Sequence, residues 1–177
     1  MKHHLPAPVL IAALIFVGSA CGGKEAGPPG PAAAAGTSPP AAAATGAAEN
    51  LGKKIGSSYS ETLKQIVAVL KDKPAASDAR AMLTDMKNWT IDLMVSLGKE
   101  REALSVADRA IVDRILGDRI SAVPADLFKD YQDGQAYYKD DKELFDLIAD
   151  FNIITQYANF DLLKRQLPEE AKRLGIQ

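Results

Sequence analysis

Residues 142–166 read KELFDLIADFNIITQYANFDLLKRQ. At about 100° per residue, Leu144, Leu147, Ile148, Phe151, Ile154, Thr155, Ala158 and Leu162 fall on one wide, mainly apolar face. Phe145, Ile153, Phe160 and Leu163 lie on other sides, and between Leu144 and Lys164 charge is confined to a narrow stripe of Asp146, Asp150, Asp161 and Lys164. A helix that is apolar nearly all round is a buried one. The spacing therefore predicts a long central helix from Lys142 to about Gln166, capped by Asp141, and such a helix needs other helices around it.

The flanking sequence supplies them. From residue 51 to 177 the apolar periodicity is helical throughout, and no stretch alternates long enough for a strand. Ile55, Tyr59, Leu63, Ile66, Val67 and Leu70 step by three and four until Pro74 stops them. Ser77 or Asp78 can cap a second helix, with Ala79, Met82, Leu83, Met86, Leu93 and Leu97 inward and Gly98 as its stop. A third runs from about Lys99 to Leu116, with Arg109–Asp113 and Arg114–Asp118 spaced as i,i+4 ion pairs. A fourth, weakened by Gly134, runs from Asp126 to about Lys139. Pro168-Glu169-Glu170 opens a last short helix that ends before Gly175. The expected fold is all-α, a compact bundle of about five helices spanning 51–177. A domain of this length buries roughly two thirds of its unfolded surface, enough for a sizeable core.

Upstream the composition changes. Between Gly22 and Ala48 there are 11 Ala, 6 Gly and 5 Pro, with only Lys24 and Glu25 charged. Such a stretch cannot bury enough surface to offset its ordering entropy. Residues 21–50 are read as a flexible Ala/Gly/Pro-rich linker, a spacer with a mean reach of about 30 Å. The alanine quartets Ala32–Ala35 and Ala41–Ala44 are too short to nucleate helix alone.

The chain begins with basic Met1-Lys2-His3-His4, then an apolar run from Leu5 to Val17, then Gly18-Ser19-Ala20-Cys21. Thirteen helical residues rise only about 20 Å, short of the roughly 30 Å of hydrocarbon in a bilayer. The length suits the core of a signal peptide, residues 1–20. The small residues before the lone Cys resemble the bacterial lipoprotein signal. That resemblance implies removal of residues 1–20 and acylation of Cys21 as the new N-terminus. Gly22 in place of Asp implies outer-membrane sorting, facing the periplasm, in a Gram-negative cell. Gly18 and Ala20 also satisfy the small-x-small pattern of ordinary signal cleavage, which would leave Cys21 unmodified.

Processing has chemical consequences. Both His and the only Cys lie within the first 21 residues, so the mature chain has no His and no reactive thiol. That excludes His-dependent triads and His- or Cys-ligated zinc or haem. Without Lys2 there are 20 basic residues against 23 acidic ones, which gives no general pull towards nucleic acid. Asp108, Asp113 and Asp118 share no helix face, and Gly52-Lys53-Lys54 lacks the rest of a phosphate-binding loop. No catalytic, metal or cofactor site is expected.

The candidate surface lies on the last long helix. Asn152, Gln156 and Asn159 form an amide ridge beside the core stripe, with Phe145, Ile153 and Phe160 on the other apolar sides. Trp89 is expected to pack at the edge of the core. Of Tyr137 and Tyr138, one ring is expected to pack and one to face solvent. The expected role is a non-catalytic scaffold or assembly accessory, held to the membrane through Cys21 and binding another envelope protein. The alternative is a carrier that holds an apolar or amphiphilic small molecule between helices, oriented by the amide ridge.

Overall fold

The computed structural model describes residues 41–176. The expected signal peptide, Cys21 and the linker up to Pro40 lie outside the described residues. All regular structure among them is helical: α1 (Ala41–Lys71), α2 (Ala76–Glu102), α3 (Val106–Ser121), α4 (Ala125–Tyr137), α5 (Lys142–Ala149), a 3-10 helix (Asp150–Ala158), α6 (Phe160–Gln166) and α7 (Pro168–Arg173). The all-α expectation is met. None of these helices is long and apolar enough to cross a membrane.

The long helices are α1 and α2, not the segment after Asp141. Helix α1 starts ten residues before Leu51, inside the stretch that composition reads as spacer. Ala48 is fully buried, so this Ala-rich start is continuous with a helix anchored in the core by Leu51, Ile55, Tyr59, Leu63, Ile66 and Leu70. Propensity alone would not hold it.

Helix α1 packs most extensively on α3, and two glycines explain how. A Cβ on Gly52 would stand 2.8 Å from Ile115 Cβ and 2.9 Å from the Val112 carbonyl oxygen, and one on Gly56 would stand 2.4 Å from Arg119 Cβ. Gly52 and Gly56 are one turn apart, so together they open a groove in α1 that admits the α3 backbone. Gly134 does the same for α4, whose missing Cβ leaves room for Leu70 of α1.

Gly98 is a correction of the same kind. It does not end α2, which continues to Glu102. It is buried, and a Cβ there would lie 2.4 Å from the Phe160 ring and 3.0 Å from the Tyr157 carbonyl oxygen. The α2–α3 turn instead falls at Ala103–Ser105, where Ser105 caps α3 by accepting from the Asp108 N–H at 3.1 Å. The expected Arg109–Asp113 pair does not form. Arg109 turns back to the end of α2, donating to the Glu102 carbonyl oxygen at 2.7 Å and the Leu104 carbonyl oxygen at 3.2 Å. A cation there satisfies carbonyls that have no helical partner. Asp113 is taken by Arg101, a nearly fully buried residue whose guanidinium donates twice, at 3.0 and 2.8 Å. Burial alone would lower the Arg101 pKa, but the carboxylates of Asp113, Glu102 and Asp161 together outweigh it and the net shift is upwards.

The expected Ser77 or Asp78 cap does not form, since α2 starts at Ala76 with Ala75 as its N-cap and no side-chain cap bond, but the signals at Asp141, Pro168 and Gly175 are realised. Asp141 caps α5, accepting from the Leu144 N–H at 3.1 Å. Pro168 occupies the first turn of α7, and Gly175 follows it with φ +69°.

Candidate functional site

The predicted helix 142–166 is three elements. It is α-helical to Ala149, 3-10 from Asp150 to Ala158, interrupted at Asn159 and α-helical again from Phe160. The side chains show why. Phe151, Ile154 and Tyr157 are all buried, and they recur every third residue. A 3-10 helix has three residues per turn, so this stripe stays on one side, against α2. Phe160 continues the three-residue step and lands on Gly98. Asn159 adopts an extended conformation and its Oδ1 accepts from the Leu162 N–H at 3.1 Å. An Asn in this position is a helix start, which breaks the continuous helix expected from periodicity.

The amide ridge therefore does not assemble as an α-helical face. Asn152 is exposed, Asn159 is spent on the cap, and Gln156 is half-buried with its Oε1 buried and unpaired. Phe145 and Ile153 are half-buried and Phe160 is buried. Tyr157, absent from the expected core stripe, is buried and donates to Glu170 at 3.1 Å. Burial, reinforced by the Glu170 carboxylate, pushes its phenol well above the usual range.

A different surface comes forward on α2. Its buried line is Ala79, Leu83, Thr90, Ile91, Met94 and Leu97, rotated from the one read off the sequence. The rotation carries Met82, Met86, Trp89 and Leu93 to the edge of that line. Met86 and Leu93 are half-buried, but Met82 is 44% exposed and Trp89 is 58% exposed. The expectation that Trp89 packs into the core edge is thus corrected. Trp89 and Leu93 wall a cleft of about 280 Å³ with Ser58, Glu61, Thr62 and Gln65 of α1. The buried threonine hydroxyls of α1 and α2 are internally satisfied: Thr62, which lines the cleft, donates to the Ser58 carbonyl oxygen at 2.9 Å and Thr90 to the Met86 carbonyl oxygen at 2.8 Å. The cleft thus presents no unpaired threonine hydroxyl, and its apolar part is the Trp89 and Leu93 edge of α2.

Two more clefts lie elsewhere, one polar and of about 240 Å³ between α1 and the end of α3, the other of about 600 Å³ between α1 and α4. None of the three is lined by Asn152, Gln156 or Asn159. Among the described residues no three acidic side chains converge to hold a metal ion. Comparison with protein-family models, with curated proteins and with solved structures finds no match for this chain.

Proposed function

We propose that the protein is a lipid-anchored envelope lipoprotein, acylated at Cys21, whose helical domain is a non-catalytic scaffold that binds another envelope protein through the outer edge of α2. The anchor rests on the order of residues 1–21: basic start, short apolar run, small residues, lone Cys. Several acyl chains at about 0.8 kcal/mol per buried CH₂ hold a protein durably on a membrane. The partner surface rests on one observation, the 58% exposure of Trp89 beside an exposed Met82. Trp is the residue most favoured at the centre of protein interfaces, because a large ring leaves water with little loss of side-chain freedom.

Two measurements test the reading. Metabolic labelling with a palmitate analogue is expected to mark the wild-type chain and not Cys21→Ala; equal labelling of both refutes the anchor. A photocrosslinking residue placed at Met82 or Trp89 is expected to capture one envelope protein in intact cells. The same residue at Arg114, exposed on α3, is expected to capture none. Identical products from both positions refute the surface.

A further inference from the structure

We propose that the cleft between the end of α1 and the last turns of α4 binds a zwitterionic amphiphile, its anionic end on α1, its cationic end on α4 and its apolar part between them. The proposal is independent of the anchor and of the α2 surface. The cleft has a volume of about 600 Å³, within the range of small-molecule sites. Its aliphatic lining is the buried Leu70, the half-buried Val67 and, at the surface, Ala136. Gly134 lets that lining close: with no Cβ, the α4 backbone sits directly on Leu70.

The walls carry opposite charges. Lys71 and Lys73 stand on the α1 side, Asp130 and Asp133 on the α4 side. Asp133 is held by Lys129 at 2.5 Å, which leaves Asp130 as the carboxylate available to a ligand. Among the described residues, neither Lys71 nor Lys73 forms an ion pair. A ligand with only positive charge meets two ammonium groups, and one with only negative charge meets the unpaired Asp130 carboxylate. A molecule carrying both charges satisfies both walls.

An aromatic ring completes the cationic end. Tyr137 is 53% exposed, and the Lys73 ammonium lies 4.9 Å from its ring centroid. The backbone reaches this position through a left-handed turn, with Lys73 at φ +48° and its N–H donating to the Leu70 carbonyl oxygen at 3.0 Å. The Tyr137 ring is braced by a perpendicular contact with Tyr138, whose hydroxyl donates to the Pro74 carbonyl oxygen at 2.8 Å. The ring is therefore fixed and already attracts an ammonium. The cationic end of the ligand takes the place of the Lys73 ammonium on the ring, in the cleft that Asp130 also lines. Lys73 is then released to join Lys71 on the anionic end.

The test is calorimetric titration of the full chain carrying Cys21→Ser, so that no acyl chain of its own competes. Dodecylphosphocholine below its micellar concentration is the zwitterionic probe. Dodecyltrimethylammonium and dodecyl phosphate carry the same chain with one kind of charge each, and phosphocholine carries both charges with no chain. The zwitterion with its chain is expected to bind about tenfold more tightly than each of the other three. Lys71→Ala, Asp130→Asn and Tyr137→Ala, all at exposed positions, are each expected to weaken it several-fold without changing the circular dichroism spectrum. Equal binding of either single-charge probe, or affinity untouched by Lys71→Ala and Asp130→Asn, overturns the charge assignment. Equal binding of phosphocholine overturns the amphiphile and leaves a headgroup site, and no binding of dodecylphosphocholine overturns the proposal entirely.

Discussion

The seam between α1 and α3 and the segment after Asp141 are both built from apolar residues at helical spacing, yet they solve packing in opposite ways. In the seam the helices keep regular α winding, and glycines remove side chains so that the backbones approach. In the segment at Asp150–Ala158 the side chains are large, and the winding itself tightens so that every third residue meets α2. Backbone geometry yields where side chains are bulky; side chains are deleted where backbone geometry is kept. The first solution leaves no slack at Gly52 and Gly56. The second relies on the poorer hydrogen bonds of a 3-10 helix and is held by its neighbours.

The largest expected effect breaks the seam. Gly56→Leu forces a side chain into Arg119 Cβ and is expected to cost roughly 3 kcal/mol in urea unfolding. Gly117→Ala is the control, since nothing stands within 4 Å of that position; it is expected to stabilise α3 by about 0.5–1 kcal/mol. A loss in both, or in neither, would show that the close approach at Gly56 is not what joins α1 to α3.

Asn159→Ala tests the other side of the comparison. Loss of the cap is expected to cost about 1 kcal/mol, against less than about 0.5 kcal/mol for Asn152→Ala. If the segment were one continuous α-helix, Ala at 159 would stabilise it. Hydrogen exchange sharpens the point: amides of 151–157 are expected to exchange faster than those of Ile55 to Ile66, although both stretches are buried on one face.

The smallest effects are electrostatic. Asp141 is held below the usual carboxylate value by the Leu144 N–H and by Arg80, which donates to both its oxygens at 2.9 and 2.8 Å. Glu170 is held down by Arg173 and by the Tyr157 hydroxyl. A depressed folded pKa contributes stability above the unfolded values, 3.8 and 4.5, that is lost as pH falls through the folded ones. Tyr131 and Tyr157 are shifted upwards by burial, so their contribution is present below pH 10 and declines above it. Melting temperature against pH is therefore expected to be flat from about 5 to 9 and to fall at both ends. Asp141→Asn is expected to flatten the acid limb while keeping the cap, and an unchanged limb would remove Arg80–Asp141 from the account.

Much of this was legible in the residues. Period and punctuation are local properties: the helices around Leu63 and Leu97, the Asp141 cap, the Pro168 start and the Gly175 end follow from them. The candidate site was less legible. The sequence does carry a trace of the 3-10 winding, since Phe151, Ile154, Tyr157 and Phe160 also fit a period of three, and Asn159 followed by Asp161 fits a helix start. Both compete with a 3.6-residue reading that is equally well populated, and local pattern alone does not choose between them.

What residue order determined by itself is the helical class, most of the breaks between helices, and the pattern ending at Cys21 on which the proposed anchor rests. What only the tertiary structure decided is which glycines are joints, how residues 150–158 wind, and that Trp89 faces water. The physical reason is the same for all three. Each depends on how closely another segment approaches, and the free energy of that approach resides in a neighbour dozens of residues away.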